Sequence, residues 1–397
     1  MVILNRMLEY KVALEKILSA AEVLSCEEVD LHEAVGRVLS EAVFSDMDMP
    51  PFNKSAMDGF ACRKADLGNE LEVIETIFAG KMPDKRIADN QCYKIMTGAM
   101  VPAPADYVFK KEDAQEIAVN KVICIRQSHN NNICYLGEDV RSGDKLLDCF
   151  TMISARHLPV LAGAGVTRPA VFKIPEVAVF ATGTELVEPH EMPMPHQIRN
   201  SNTSQLIGQL AGINIRAHYG GIIADDEQVL ERFLKESEER YDVTILTGGV
   251  SVGDYDLVPG ILEKLGFELL VTATAIKPGK PMVFARKGNR YCFGLSGNPV
   301  SSFVQFELYV KPFLHRLSGY TDHPEILRLP FGAEFNRSFA GRMNLIPVNV
   351  SPDMEVIPVD FHGSAHIHAL SFAGYLMEVP IGVKTIRKGE LVHVRPI

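Results

Sequence analysis

The residues of this 397-residue chain best suited to chemistry are glycines, lysines and carboxylates gathered in short loops. Thr247-Gly248-Gly249-Val250-Ser251-Val252-Gly253 follows directly on an apolar run. Paired glycines allow a tight turn and let backbone N–H groups approach an anion, and Ser251 adds a hydroxyl. An ordinary glycine turn between strand and helix explains the same residues equally well. A second loop, Gly294-Leu-Ser-Gly-Asn-Pro-Val-Ser301, puts Gly297 and Asn298 just ahead of a helix. Free N–H groups and the helix dipole favour negative charge there. Lys277-Pro-Gly-Lys280 supplies two cations, although such a turn taken alone is only a solvated loop.

Carboxylates fall in three neighbouring loops: Glu185 in Thr182-Gly-Thr-Glu-Leu, the pair Asp225-Asp226, and Asp256. Beside phosphate-binding loops they would repel an anionic ligand unless a cation bridged them, and magnesium suits oxygen ligands and substrate phosphates. Asp226 stands where a helix N-cap is expected, which leaves Asp225 as the candidate ligand. Further toward the N-terminus lie Asn53-Lys-Ser-Ala-Met-Asp58-Gly, Thr97-Gly-Ala-Met-Val-Pro and Gly137-Glu138-Asp139. From their residue types these are turns and no more.

The elements that must position these loops follow from periodicity. Met7, Tyr10, Leu14, Ile17, Leu18, Ala21 and Leu24 recur at helical spacing, and a second short helix is expected around Leu31–Glu41. The prolines of Ser45-Asp-Met-Asp-Met-Pro-Pro break the pattern. From there to about residue 140 the chain reads as β-rich, with runs at Leu71–Ile77, Tyr107–Phe109 and Val119–Ile125. Helical character returns around Arg141–Gly165. Between about 176 and 320 short strands (Val177–Phe180, Ile213–His218, Val243–Leu246, Met282–Ala285, Tyr291–Leu295) alternate with helices (Gln205–Leu210, Asp226–Arg240, Pro259–Leu265, Val300–Leu317). That alternation predicts a doubly wound α/β sheet with ligands at the strand ends. Strands at Phe331–Phe335, Asn344–Val350, Glu355–Pro358, Tyr375–Val379 and Leu391–Arg395 predict a small terminal β domain.

Composition narrows the function class. The net charge of −10 argues against a general nucleic-acid or anionic-membrane surface. No apolar run approaches the ~20 residues that span a bilayer, and Met1–Glu9 has no signal-peptide pattern, so a cytoplasmic chain is expected. Seven cysteines without a CxxC pair read as reduced thiols rather than a zinc site.

The motifs occur together in a recognisable order. Pro50-Pro51-Phe52 with Ser55-Ala-Met-Asp58-Gly, Thr97-Gly-Ala, Gly137-Glu-Asp139, Thr182-Gly-Thr-Glu185-Leu, Thr247-Gly-Gly-Val-Ser251-Val-Gly, Lys277-Pro-Gly-Lys280-Pro and Gly297-Asn298-Pro-Val-Ser301 span nearly the whole chain. This set resembles the molybdopterin molybdenumtransferase family, which includes the bacterial enzymes and the gephyrin E-domain. The resemblance implies an α/β multidomain protein: a helical linker and dimer domain (1–45 plus 141–175), an inserted β-rich domain (46–140), a doubly wound molybdopterin-binding domain (176–322) and a C-terminal small β-barrel domain (323–397). It implies a homodimer whose cleft lies between the α/β domain of one subunit and the β-rich domain of the other. The implied reaction takes adenylylated molybdopterin and molybdate with magnesium and yields molybdenum cofactor and AMP. Molybdopterin adenylyltransferase or acceptor molybdoenzymes would be further partners, with no nucleic acid and no membrane.

Carried over motif by motif, Asp58, Asp139 and Glu185 are the catalytic candidates and Asp225 and Asp256 the metal ligands. Thr97, Gly248, Gly249, Ser251, Lys277, Lys280, Gly297, Asn298 and Ser301 would bind substrate. The chain departs from the family at several points. Cys134, Tyr135 and Leu136 stand where arginines are usual, Ser296 replaces a proline, Pro104 a glycine, and Asn53-Lys54 an Asp-Asn pair. Gly363-Ser-Ala-His366-Ile-His368 replaces a Leu-Ser-Ser-Leu run, and a His-x-His pair on a strand would put both rings on one face. Both histidines read as structural. The rival readings are molybdopterin adenylylation and a scaffold on the same fold. A nicotinamide enzyme is poorly supported, because Ala181-Thr-Gly-Thr lacks G-x-G-x-x-G.

Overall fold

The computed structural model describes residues 7–250, 257–321 and 324–397. Its centre is a six-stranded sheet built from β1 (Val177–Thr182), β2 (His218–Ile223), β3 (Val243–Thr247), β4 (Glu268–Ala273), β5 (Pro281–Lys287) and β6 (Arg290–Leu295), ordered β2-β1-β3-β6-β5-β4. β2, β1, β3 and β6 run parallel, while β5 is antiparallel to β6 and β4 antiparallel to β5. Every residue of β1 and β3 is buried, as expected of strands covered on both faces. One face packs Leu206, Leu210, Val304 and Phe313, the other Leu230, Leu234, Ile261 and Leu262.

The helix Tyr10–Ser19 packs on the first of these faces through Ala13 and Ile17. The second helix expected at Leu31–Glu41 is only a 3-10 turn, Leu31–Glu33. Ala34 caps it, Gly36 at φ +82° turns the chain, and Val38 and Leu39 then bridge to Met152 and Val171. Residues 20–45 and 141–175 come together by two strand pairs, Cys26–Glu28 with Ala170–Phe172 and Val43–Phe44 with Lys145–Leu147. The short helix Leu158–Gly163 is the α-helical part of that layer.

Between the paired segments at 43–49 and 140–147 the chain folds a second six-stranded sheet. Its core lies on two faces, around Tyr93 and Ile95 on one and Phe60 and Phe109 on the other. The run expected at Val119–Ile125 is half of a hairpin, Ala114–Ala118 with Lys121–Cys124, turned at Asn120 (φ 59°). The strand expected at Ile213–His218 lies one element later, at His218–Ile223. Gly220 and Gly221 make it read as a turn. A Cβ at Gly220 would fall 1.6 Å from the Phe180 ring, so the glycine makes room for a core aromatic.

The C-terminal sheet runs through Met343–Val350, Tyr375–Val379, Leu391–Pro396 and Leu327–Pro330. A bridge from Phe331 to Val356 closes it back on itself. Ile276–Lys277 also joins it beside Met343 and Asn344, which fastens the α/β layer to this domain. His366 and His368 are not on a strand: His366 precedes the 3-10 helix Ile367–Phe372 and stacks on His362, ring centroids 4.8 Å apart. Among the described residues, no helix is long and apolar enough to cross a membrane.

Candidate functional site

Register fixes where the loops meet. Ala181 pairs with Thr247, Thr247 with Leu295 and Thr182 with Ile223, so four parallel strands end at one edge of the sheet. The chain leaves β1 for the edge strand β2 and returns on the other side in β3. A crevice opens at such a reversal of strand order. Here it is a cleft of about 630 Å³ lined by Glu185, Asp225, Gly248, Gly249, Gly297 and Asn298.

Two glycines shape its floor. Gly248 (φ +96°) and Gly249 (φ +62°) occupy backbone conformations that side chains resist, and a Cβ at Gly248 would lie 2.4 Å from the Thr182 carbonyl oxygen. The Gly248 amide donates to the Leu295 carbonyl at 3.1 Å. No acceptor among the described residues takes the amides of Gly249, Val250 or Gly297. A Cβ at Gly297 would lie 3.7 Å from Gly248 Cα, so these N–H groups belong to one wall. Together they form a place for an anion.

Two carboxylates flank the next turn. Glu185 folds back over Gly183, where a Cβ would meet its Oε2 at 2.7 Å, and Asp225 Oδ2 accepts from the Thr184 amide at 3.3 Å. Asp226 is the N-cap of Glu227–Arg240, its carboxylate accepting from the amides of Gln228 and Val229. That division of labour leaves Asp225 facing the cleft. No group of three or more His, Cys, Asp or Glu able to hold a metal occurs among the described residues. Magnesium accepts one or two carboxylates with water and substrate phosphates completing its shell, and Glu185 with Asp225 fits that donor set.

A second cleft of about 650 Å³ adjoins the first. Pro281, Ser296 and Asn298 line both. The second holds Lys277, Lys280 and Ser301, with Arg342, His362 and Ser364 from the C-terminal domain. The Ser364 carbonyl accepts the Val300 amide at 3.0 Å, which docks that domain on the helix start. Sequence spacing missed Arg342 and Ser364 because the pairing of Lys277 with Asn344 and the Val300–Ser364 bond bring them here.

Gln305 was also missed. Fully buried, it accepts from the Ser296 amide (2.9 Å) and donates to the carbonyls of Gly279 (2.9 Å) and Pro281 (2.6 Å). One side chain thus sets the spacing of the loops between the clefts. Gln305→Leu removes one partner from each of these backbone groups, the Gly279 carbonyl keeping the Thr274 hydroxyl at 2.9 Å, and urea unfolding should show a loss of about 2 kcal/mol.

Asp58, Thr97 and Asp139 line neither cleft of their own chain. Gly59 pairs with Ile95 in the second sheet, which brings Asp58 and Thr97 to the same sheet end. Asp58 Oδ1 accepts from both the Thr97 hydroxyl and its amide at 2.7 Å. These bonds, the hydroxyl's first, hold the Asp58 carboxyl below the usual range. The Asp139 amide donates to Met49 and the Leu136 amide to Asn53 Oδ1, pinning the 135–139 turn to the proline segment. Tyr135 and Leu136 are exposed there, while Cys134 pairs with Lys54. Ser296, the departure from proline, accepts the Asn298 amide on its hydroxyl at 3.2 Å. Ser251 and Asp256 lie outside the described residues.

Comparison with known proteins agrees with this architecture. Family models described as MoeA N-terminal region (domain I and II), probable molybdopterin binding domain, and MoeA C-terminal region (domain IV) match residues 8–165, 178–316 and 334–397. The chain is 34% identical to a molybdopterin molybdenumtransferase of Staphylococcus epidermidis, over 97% of this chain and 94% of that one. It is 32% identical to that of Staphylococcus aureus over the same shares. A solved molybdopterin biosynthesis MoeA protein of Pyrococcus horikoshii superposes with a TM-score of 0.84 at 27% identity, covering 98% of this chain and 99% of that one. The chain belongs to the molybdopterin molybdenumtransferase, or MoeA, family.

Proposed function

We propose that this chain inserts molybdenum into adenylylated molybdopterin, releasing AMP, as a cytoplasmic homodimer. One observation supports this reading above the others. An anion-binding turn with two carboxylates and a cleft lined by Lys277, Lys280 and Arg342 share the ridge Ser296–Asn298. Two anionic substrates, a phosphate ester and an oxyanion, can therefore lie side by side.

In this reading the amides around Gly249 and Gly297 hold the pterin phosphate, joined by Ser251. Glu185 and Asp225, with Asp256, hold magnesium against the substrate phosphates. Bound there, the metal neutralises charge on the phosphates and orients the oxygens around the bond to be broken. Lys277, Lys280 and Ser301 draw molybdate into the second cleft, in place of the arginines absent at Cys134–Leu136. The helix start after Asn298 adds its dipole to that field. Asp58 and Asp139 enter from the partner subunit, and the Thr97 bonds keep Asp58 ionised.

The test uses the purified protein with adenylylated molybdopterin, magnesium and molybdate. AMP release and reconstitution of a cofactor-free molybdoenzyme should both appear and both require molybdate. Consumption of ATP with molybdopterin would point to adenylylation instead. Absence of both reactions in protein that binds the substrate would reject the reading and leave a scaffold role.

A further inference from the structure

Thr182 ends β1 and lines the first cleft, yet it is only 4% exposed and its hydroxyl has no hydrogen-bond partner among the described residues. Buried hydroxyls are nearly always paired, so this one calls for a physical account. Its surroundings supply one. A Cβ at either Gly248 or Gly249 would come within 3.0 Å of Thr182 Oγ1, so the hydroxyl lies directly beneath the two glycines of the turn. The same turn carries the amides of Gly249 and Val250 for which no described residue is the acceptor. An unpaired hydroxyl donor and unpaired N–H donors thus meet at one point. Among the described residues none of them has an oxygen to donate to.

We propose that the Thr182 hydroxyl is a phosphate-binding group: when a phosphate monoester seats on the Gly248–Gly249 turn, Thr182 donates to it beside the backbone amides. Rotation about χ1 to another staggered position moves the hydroxyl on the threonine Cβ toward the cleft. The empty state then carries an unsatisfied buried group that ligand binding relieves, and the relief adds to affinity. This rests on the reading of the turn as the site of the pterin phosphate. It adds a side-chain contact that the glycine pattern alone does not reveal.

Thr182→Val keeps the shape and removes the hydroxyl; Thr182→Ser keeps the hydroxyl. Both are compared with the unmodified protein by thermal unfolding with and without inorganic phosphate, and by steady-state turnover of adenylylated molybdopterin. Without phosphate, the valine variant should melt about 2 °C higher, because an unpaired polar group has been removed. Its phosphate affinity should fall about tenfold, as for loss of one hydrogen bond to a charged group, with KM rising more than kcat falls. The serine variant should stay within about threefold of the unmodified protein in both. Phosphate binding by the valine variant within about twofold of the unmodified protein overturns the proposal, and so does a fully folded unmodified protein that phosphate fails to protect. If phosphate protection depends on Thr182 while no molybdate-dependent AMP release occurs, the contact stands and the proposed reaction alone falls.

Discussion

Asp225→Asn should lower molybdate-dependent AMP release about a thousandfold, roughly 4 kcal/mol of transition-state stabilisation. The substitution preserves size, and the acceptor oxygen for the Thr184 amide can be retained. What disappears is one of the two carboxylates that line a cleft which also offers the backbone donors of the glycine turn. Those donors attract phosphate without help, so substrate binding should weaken far less than turnover. Glu185→Gln should behave alike, and the double variant should lose less than the product of the two single losses, because both act on one ion. Raising magnesium should recover part of the loss in each single variant. Wild-type turnover of Asp225→Asn at saturating magnesium would remove the metal role from this carboxylate. Asp256 would then be the carboxylate to test next.

The parts of this site readable in the sequence are those whose spacing is local. A helix cap needs only Asp226 ahead of a helical run, and the structure has it accepting from Gln228 and Val229. A continuous apolar stretch such as Val177–Thr182 identifies a buried strand without neighbours. Glycine misled in both directions. At Gly220 it disguised a strand, since its reason is the Phe180 ring on the adjacent strand, forty residues away. At Gly36 it turned the chain where periodicity had extended a helix. The second cleft was illegible for a related reason: it exists because Lys277 pairs with Asn344. Gln305 gave no signal either, for a polar residue on a buried helix face reads as a lapse in periodicity until its three partners are seen.

Mixing two inactive variants should restore activity. Asp58 and Asp139 line neither cleft in their own chain, while Glu185 and Asp225 share one. If the working site joins Asp58 of one subunit to the cleft of the other, each subunit of a two-fold dimer lends to its partner what it lacks. Asp58→Asn and Asp225→Asn homodimers then have two damaged sites each. In a mixed dimer one site carries both lesions and the other carries none. Random assortment of equal amounts makes half the dimers mixed, so activity should recover to about a quarter of wild type. Purifying mixed dimers with two affinity tags should raise that to about a half. The Asp58 variant should keep its fold, because among the described residues its carboxylate bonds only to Thr97, at an exposed sheet end. Recovery also requires that the variants exchange subunits or assemble together during synthesis, which co-expression provides. No recovery in isolated mixed dimers would rule out a site that joins Asp58 of one subunit to Asp225 of the other, and the cleft between subunits would no longer be where molybdenum is inserted.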